Sequence, residues 1–181
     1  MVDVKIENII ASTKLANDFN LDNLACSVED SKYNPDEMPA VSLHYTNPKS
    51  VAFIFSNGKA TFTGAKALPE IEDLVLRTIE KLEKSGFVLN QEHEIEIKSI
   101  IATSDFKTEL SLANISSSPL FKNVEYHPEE FPGIIYRTNE PSAVFLIFSS
   151  GKIVSTGFKK IEDITIAMNN IQDLFSSIGA L

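Results

Sequence analysis

The 181-residue sequence predicts an α+β fold made of two tandem copies of one unit. Three observations carry this. A 34-residue block occurs twice without a gap, each copy contains alternating, strand-like segments, and each closes on a long amphipathic stretch. The block YNPDEMPAVSLHYTNPKSVAFIFSNGKATFTGAK (33–66) aligns with YHPEEFPGIIYRTNEPSAVFLIFSSGKIVSTGFK (126–159) at an offset of 93, with 14 identities in 34 positions. That agreement is too regular for chance, and it extends outward. NIIASTKL from Asn8 answers SIIATSDF from Ser99, and Gly86 answers Gly179. The repeats are therefore read as residues 1–90 and 91–181. Two copies are too few for a solenoid, so a pseudo-twofold pair is expected.

Each unit opens with a strand, Val4 to Thr13 and Glu94 to Ser104. A short helix follows around Leu21 to Val28, where Leu21, Leu24, Ala25 and Val28 share a face; Leu110 to Ile115 is its weaker counterpart. Strands at Val41–Tyr45 and Ile134–Thr138 end before Asn47-Pro48 and Glu140-Pro141. A hairpin comes next, its turn at Gly58 in the first copy and at Ser150-Gly151 in the second. The closing helix keeps Ile71, Leu74, Val75, Ile79 and Leu82 at helical spacing, with Pro69 in its first turn and Gly86 at its end. Ile164, Ala167, Met168, Ile171, Phe175 and Ile178 do the same before Gly179. The order per unit is β-α-β-β-β-β-α, an antiparallel sheet with helices on one side.

The hairpins have no charged face. Ala52, Ile54, Ala60 and Phe62 share one side, and Phe53, Phe55, Thr61 and Thr63 share the other. In the second copy, Phe145, Ile147, Ile153 and Ser155 oppose Leu146, Phe148, Val154 and Thr156. Helices can cover only one side. The other is apolar, with phenylalanines at the rim of each turn, and a patch of that kind marks a binding surface. Burial of each Phe against a partner is worth roughly 1.5–3 kcal/mol. The competing arrangement packs the two repeats face to face as a sandwich, but a sandwich core does not call for aromatics beside its turns.

Composition narrows the function classes. With 16 Lys+Arg against 25 Asp+Glu the net charge is −9, which by itself argues against nucleic acid. No apolar run reaches membrane-span length. The opening residues show no signal-peptide pattern, and Cys26 is the only cysteine, so an intracellular protein is the default expectation. Cys26 is expected to pack within its short helix. His44, His93 and His127 lack metal-ligand spacing and read as surface residues. SNGKAT and SSGKIV lack the full phosphate-loop pattern, and no nucleophile–base pair is apparent. No enzymatic activity, metal or cofactor is expected.

Taken together, EYHPEEFPGIIYR, LIFSSGKIVSTG, KYNPDEMPAV and FIFSNGKATFTGAK, in tandem at constant spacing, resemble the TATA-box-binding protein family in its short archaeal form. The resemblance covers essentially the whole chain. It implies a pseudo-twofold saddle: a ten-stranded curved antiparallel sheet with four helices on the convex face. The concave face would lie in the minor groove of double-stranded A·T-rich promoter DNA. Phenylalanines that unstack base steps and kink the duplex are the known behaviour of this family. The positions matching those wedges are Phe55, Phe131 and Phe148, with Met38 in the fourth place. Met is apolar and can insert, but it stacks poorly, so a softer kink is expected at that end.

The resemblance also assigns the groove floor to Ile10, Phe53, Thr61, Thr63, Ile101, Leu146, Val154 and Thr156, with Thr61 in place of the usual valine. Such a surface excludes the guanine amino group by contact. At the centre the family places one asparagine per repeat. Asn8 matches, and Ser99 stands in the second place with shorter reach. Arg137, Lys152, Lys159, Lys59 and Lys66 match phosphate contacts, and His44 stands where arginine is usual. Much of the acid falls elsewhere, on Glu70, Glu72, Asp73, Glu80 and Glu83 and in the loops Asp36-Glu37 and Glu129-Glu130. A basic rim on an acidic body is compatible with DNA, with a shallow salt dependence expected.

His127, Glu129 and Glu130 match the loop that transcription factor B grips in the family, and RNA polymerase would be recruited through that factor. Localisation would be cytoplasmic, at the nucleoid of an archaeal cell. Self-association of the free protein through the apolar face is a further expectation. Two competing functions follow from the same residues. The first is a divergent paralogue, its DNA readout weakened by Met38, Thr61, Ser99 and His44, acting as a protein-binding regulator. The second is a small-molecule carrier using the apolar face as a groove; co-purified lipid would favour it.

Overall fold

The computed structural model describes residues 2–180. It divides into two compact units, Asn8–Lys98 and Met1–Glu7 with Ser99–Leu181. The start of the chain thus groups with the second repeat. The Val2 N–H donates to Asn169 Oδ1 at 3.2 Å, and Ser104 Oγ donates to the Asp3 carbonyl at 2.8 Å.

The first-repeat elements are β1 (Lys5–Lys14), α1 (Leu21–Ser27), β2 (Ser31–Lys32), β3 (Ala40–Thr46), β4 (Lys49–Phe55), β5 (Lys59–Ala65) and α2 (Leu68–Lys84). The second repeat follows as β6 (Glu96–Asp105), α3 (Leu112–Ser117), β7 (Val124–Glu125), β8 (Gly133–Asn139), β9 (Ser142–Phe148), β10 (Lys152–Phe158) and α4 (Ile161–Ser177). The strands run in the orders β2-β3-β4-β5-β1 and β6-β10-β9-β8-β7. Each repeat keeps the expected β-α-β-β-β-β-α order; the number of middle strands, left open by the sequence, is four, the first of them the two-residue β2 or β7.

The buried side of each sheet is the one expected. Ala52, Ile54, Ala60 and Phe62 have no solvent exposure, nor do Phe145, Ile147, Ile153 and Ser155. Helix α2 lays Ile71, Leu74, Val75, Thr78 and Leu82 on the first set, and α4 lays Ile164, Met168, Ile171 and Phe175 on the second. In the second repeat the core is aromatic. Phe121 stacks on Phe175 with centroids 5.7 Å apart, and Phe145 meets Phe158 edge-on at 5.7 Å.

Three local expectations are corrected. Helix α3 starts at Leu112, because Ser111 Oγ accepts the Asn114 N–H and so caps the helix at that point. The second hairpin turns over Ser149-Ser150, closed by the Gly151 N–H on the Phe148 carbonyl at 3.0 Å. The rim aromatic therefore opens the turn itself. Cys26 is exposed, since α1 buries only Leu24 and Cys26 lies off that face. Phe53, Phe55, Leu146 and Phe148, on the other side of the hairpins, all keep partial solvent access.

Candidate nucleic-acid interface

The half-exposed side of each sheet is built by register. Ser42, Phe53 and Thr61 pair across β3, β4 and β5, and Thr61 pairs with Ser12 of β1. In the second repeat Ile135, Leu146, Val154 and Thr103 form the same row. Residues directly opposite across antiparallel strands share a face, so every apolar groove-floor candidate lies on this side. Ile10 and Ile101 join it from β1 and β6, both half-buried between fully buried neighbours.

Asn8 and Ser99 owe their position to a bulge. Between Ile9 and Ala11, β1 advances two residues while β5 advances three, from Phe62 to Ala65. Between Ile100 and Ala102, β6 faces the same surplus from Ser155 to Phe158. The extra residue falls at Thr63-Gly64 and at Thr156-Gly157, and both glycines take positive φ, +107° and +103°. Such a bulge takes one backbone N–H off the ladder. Asn8 Oδ1 accepts the Gly64 N–H at 2.7 Å, and Ser99 Oγ accepts the Gly157 N–H at 3.1 Å. The central polar residue of each repeat is thereby tied to the backbone. Sequence reasoning assigned no part in this to the glycines, although the repeated Thr-Gly pair was the available signal.

The candidate wedge positions differ between repeats. Phe131 and Phe148 meet edge to face, with centroids 5.7 Å apart. Gly133 makes room for them, because a Cβ there would lie 2.9 Å from Phe131 Cε1. In the first repeat, Phe55 pairs across the sheet with Ala40, the counterpart of Gly133, and Met38 stands 41% exposed. The loops carrying Met38 and Phe131 share one geometry. The Asn34 carbonyl accepts N–H from Glu37 and Met38, as the His127 carbonyl does from Glu130 and Phe131. His127, Glu129 and Glu130 are all exposed on that second loop.

The basic candidates Lys59, Lys66, Arg137, Lys152 and Lys159 are all exposed. Arg137 is engaged: its Nε donates to Glu125 Oε1 at 3.1 Å. The matching pair in the first repeat is His44 and Lys32. Lys32 pairs with Ser42 and so falls in the half-exposed row; Glu125 pairs with Ile135 and does the same in its own unit. The two edges thus carry opposite charges at equivalent places, and Lys32 was not among the expected basic residues. Its alignment with Glu125 was the signal. Beside Phe148 and Val154 an open cleft of about 970 Å³ mixes Lys5, Lys107 and Lys152 with Asp3, Glu7 and Asp105. Basic and acidic groups there partly cancel.

Among the described residues no group of His, Cys, Asp and Glu could hold a metal ion, and no helix is long and apolar enough to cross a membrane.

Comparison with known proteins accords with this arrangement. The family model described as transcription factor TFIID (or TATA-binding protein, TBP) matches residues 3–85 and 94–178. The TATA-box-binding protein of Methanothrix thermoacetophila is 37% identical over 179 residues, covering 98% of each chain. That of Thermococcus kodakarensis is 42% identical over 162 residues, covering 90% of this chain and 84% of its own. The solved structure of Methanococcus jannaschii TBP is 35% identical and covers 97% of this chain and 99% of its own, with a TM-score of 0.87. With both repeats matched and both relatives similar over nearly all of the chain, this protein belongs to the TATA-binding protein family of general transcription factors.

Proposed function

We propose that this protein binds the minor groove of A·T-rich core-promoter DNA, bends it by inserting side chains at the two ends of the contact, and recruits transcription factor B and, through it, RNA polymerase. The observation that carries this reading is the half-exposed, largely apolar sheet face present in both repeats, with charge at its edges on Lys32 and Glu125. Its apolar side chains are Ile10, Phe53, Ile101, Ile135, Leu146 and Val154, its polar ones include Asn8, Ser12, Ser42, Ser99 and the threonines, and it is edged by Phe55 in one repeat and by Phe131 and Phe148 in the other.

In the minor groove, A·T pairs offer acceptors alone, whereas G·C adds an amino group. An apolar floor tolerates the first and is obstructed by the second. Phe131 and Phe148, and Phe55 with Met38, act as wedges; unstacking a base step is offset by the larger surface that bent DNA then buries, the behaviour established for this family. Lys59, Lys66, Arg137, Lys152 and Lys159 contact phosphates. The exposed loop His127-Pro128-Glu129-Glu130 offers carboxylates to transcription factor B. The chain carries no chemistry for catalysis in this role.

The test is binding to a short duplex bearing a TATA element, beside a G·C-scrambled control, with donor and acceptor dyes at the DNA ends and salt varied. Selective binding with a rise in energy transfer is expected. Absence of binding at every salt concentration, with or without transcription factor B, would favour a protein-binding regulator, for which the departures at Met38, Thr61, Ser99 and His44 are the motive.

A further inference from the structure

The two bulges hold different chemistry. Asn8 Oδ1 is committed to the Gly64 N–H at 2.7 Å, with Thr63 Oγ1 also within 3.3 Å. This fixes the amide orientation, since only the oxygen can take a backbone N–H. Nδ2 then carries both remaining hydrogens. One goes to Thr63 Oγ1 at 2.9 Å, and the other is a donor on the half-exposed face. Asn8 can therefore address an acceptor and nothing else.

Ser99 solves the same backbone problem with a different group. Its Oγ accepts the Gly157 N–H at 3.1 Å and lies 3.2 Å from Thr156 Oγ1. Either hydroxyl can donate to the other, so the pair has one proton for that bond and one to direct elsewhere, with oxygen lone pairs to spare. It can present a donor or an acceptor. Serine also has two fewer side-chain heavy atoms than asparagine and reaches one atom less far, which leaves space over the second repeat where Asn8 fills it in the first.

We infer that Ser99 relaxes base selection in the second repeat, so that a G·C pair is admitted beneath Ser99 while the base pair beneath Asn8 must be A·T. The guanine amino group, which an Asn-type donor repels and obstructs, finds both room and an acceptor at the Ser99–Thr156 pair. Preferred sites are then asymmetric about their centre. A G·C pair on one side also orients the protein, turning the second repeat toward it. This inference rests on the minor-groove reading above.

The experiment compares wild type, Ser99→Asn and Asn8→Ser on four duplexes: one all A·T at the central pairs, one with a single central G·C on one side, one with G·C on both sides, and one with inosine·C in place of G·C. Inosine lacks the amino group. For wild type, one-sided G·C is expected to weaken binding less than about threefold and two-sided G·C by about tenfold or more, the range of one good base contact. Ser99→Asn is expected to pay the tenfold penalty for one-sided G·C as well, and Asn8→Ser to tolerate both sides. Inosine·C should bring every penalty to within about twofold of the all-A·T duplex. Each variant is first checked for a wild-type unfolding transition.

A dye on Cys26, the single and exposed cysteine, reports orientation by energy transfer to a dye at one DNA end. One-sided G·C should drive it to a single value. Equal G·C penalties for wild type and Ser99→Asn would overturn the inference while leaving the minor-groove reading intact. Failure of all three proteins to prefer the all-A·T duplex over a scrambled one would overturn that reading itself.

Discussion

The rings of Phe131 and Phe148 lie edge to face, with centroids 5.7 Å apart and planes inclined by 61°. The contact depends on Gly133, whose absent Cβ would come within 2.9 Å of Phe131 and 3.3 Å of Phe148. The first repeat has Ala40 at that place, paired with Phe55, and an exposed Met38 where the second has Phe131, so the more flexible candidate wedge and the larger neighbour go together. Met38→Phe alone should raise the bend only slightly, because the new ring meets the Ala40 methyl. Met38→Phe with Ala40→Gly should bend the duplex clearly more, as read by end-to-end energy transfer. A bend unchanged in the double variant would remove Met38 from the wedge positions.

The pairing of Arg137 with Glu125 reduces what the second repeat can offer to phosphate, whereas Lys32 adds charge at the equivalent edge of the first. Each neutralised phosphate contributes about −0.9 to the slope of log K against log salt. Lys32→Ala should make that slope shallower by about one, with little change in sequence preference. Glu125→Gln should strengthen binding by roughly two- to tenfold at low salt, and the gain should vanish toward 1 M, where screening is short-ranged. Identical slopes for wild type and Lys32→Ala would place Lys32 outside the interface.

How much of this was readable beforehand depends on the kind of signal. Strand faces and closing helices were legible because periods of 2.0 and 3.6 residues appear directly in Ala52, Ile54, Ala60 and Phe62 and in Ile71, Leu74, Val75 and Leu82. The two-residue strands β2 and β7 were not, since two residues have no period. Thr78, fully buried among apolar neighbours, was overlooked because its hydroxyl is satisfied by the Leu74 carbonyl and Tyr45, which only the folded chain brings together. The bulges are hard to read for a related reason: register between strands is a property of two segments, and the repeated Thr-Gly pair is the one local sign of them. The candidate wedges and groove floor, by contrast, follow from the family resemblance that the duplicated motifs carry. Gly133 emerged only from the packing of Phe131 and Phe148 in the fold, whereas Lys32 had a sequence signal in its alignment with Glu125.

Tyr45 links the first sheet to α2. Its hydroxyl lies 2.8 Å from Thr78 Oγ1, and Thr78 spends its own proton on the Leu74 carbonyl, so the phenol is the donor. Burial raises the Tyr45 pKa above the ordinary value, outweighing the opposing pull of the Thr78 hydrogen bond and of Arg77, whose guanidinium sits 4.8 Å from the ring centre. A phenol held protonated in the fold stabilises fully below its unfolded pKa near 10, and that contribution is lost as pH rises through the higher folded value. Urea unfolding from pH 8 to 11 should show stability falling above about pH 10. Tyr45→Phe should flatten part of that fall while costing about 0.5–1.5 kcal/mol at pH 7. Tyr136, also raised by burial, supplies a remaining part.

The Asn8–Gly64 bond separates folding from recognition, and substitutions can test each alone. A Cβ at Gly64 would lie 2.6 Å from the Lys49 carbonyl oxygen and 2.7 Å from Ser50 Cα, on a backbone at φ +107°. Gly64→Ala should therefore destabilise by about 2–4 kcal/mol, combining strain with a clash that flexible side chains cannot relieve. Asn8→Ala strands the Gly64 N–H and should cost about 1–3 kcal/mol. Asn8→Asp keeps the acceptor for that N–H, so unfolding should move little. It replaces the outward donor with a carboxylate oxygen, which repels the acceptors of an A·T minor groove, and DNA affinity should fall by about a hundredfold, near the upper range for one base contact. Wild-type affinity in a stable Asn8→Asp protein would show that Asn8 serves the bulge alone and reads no base.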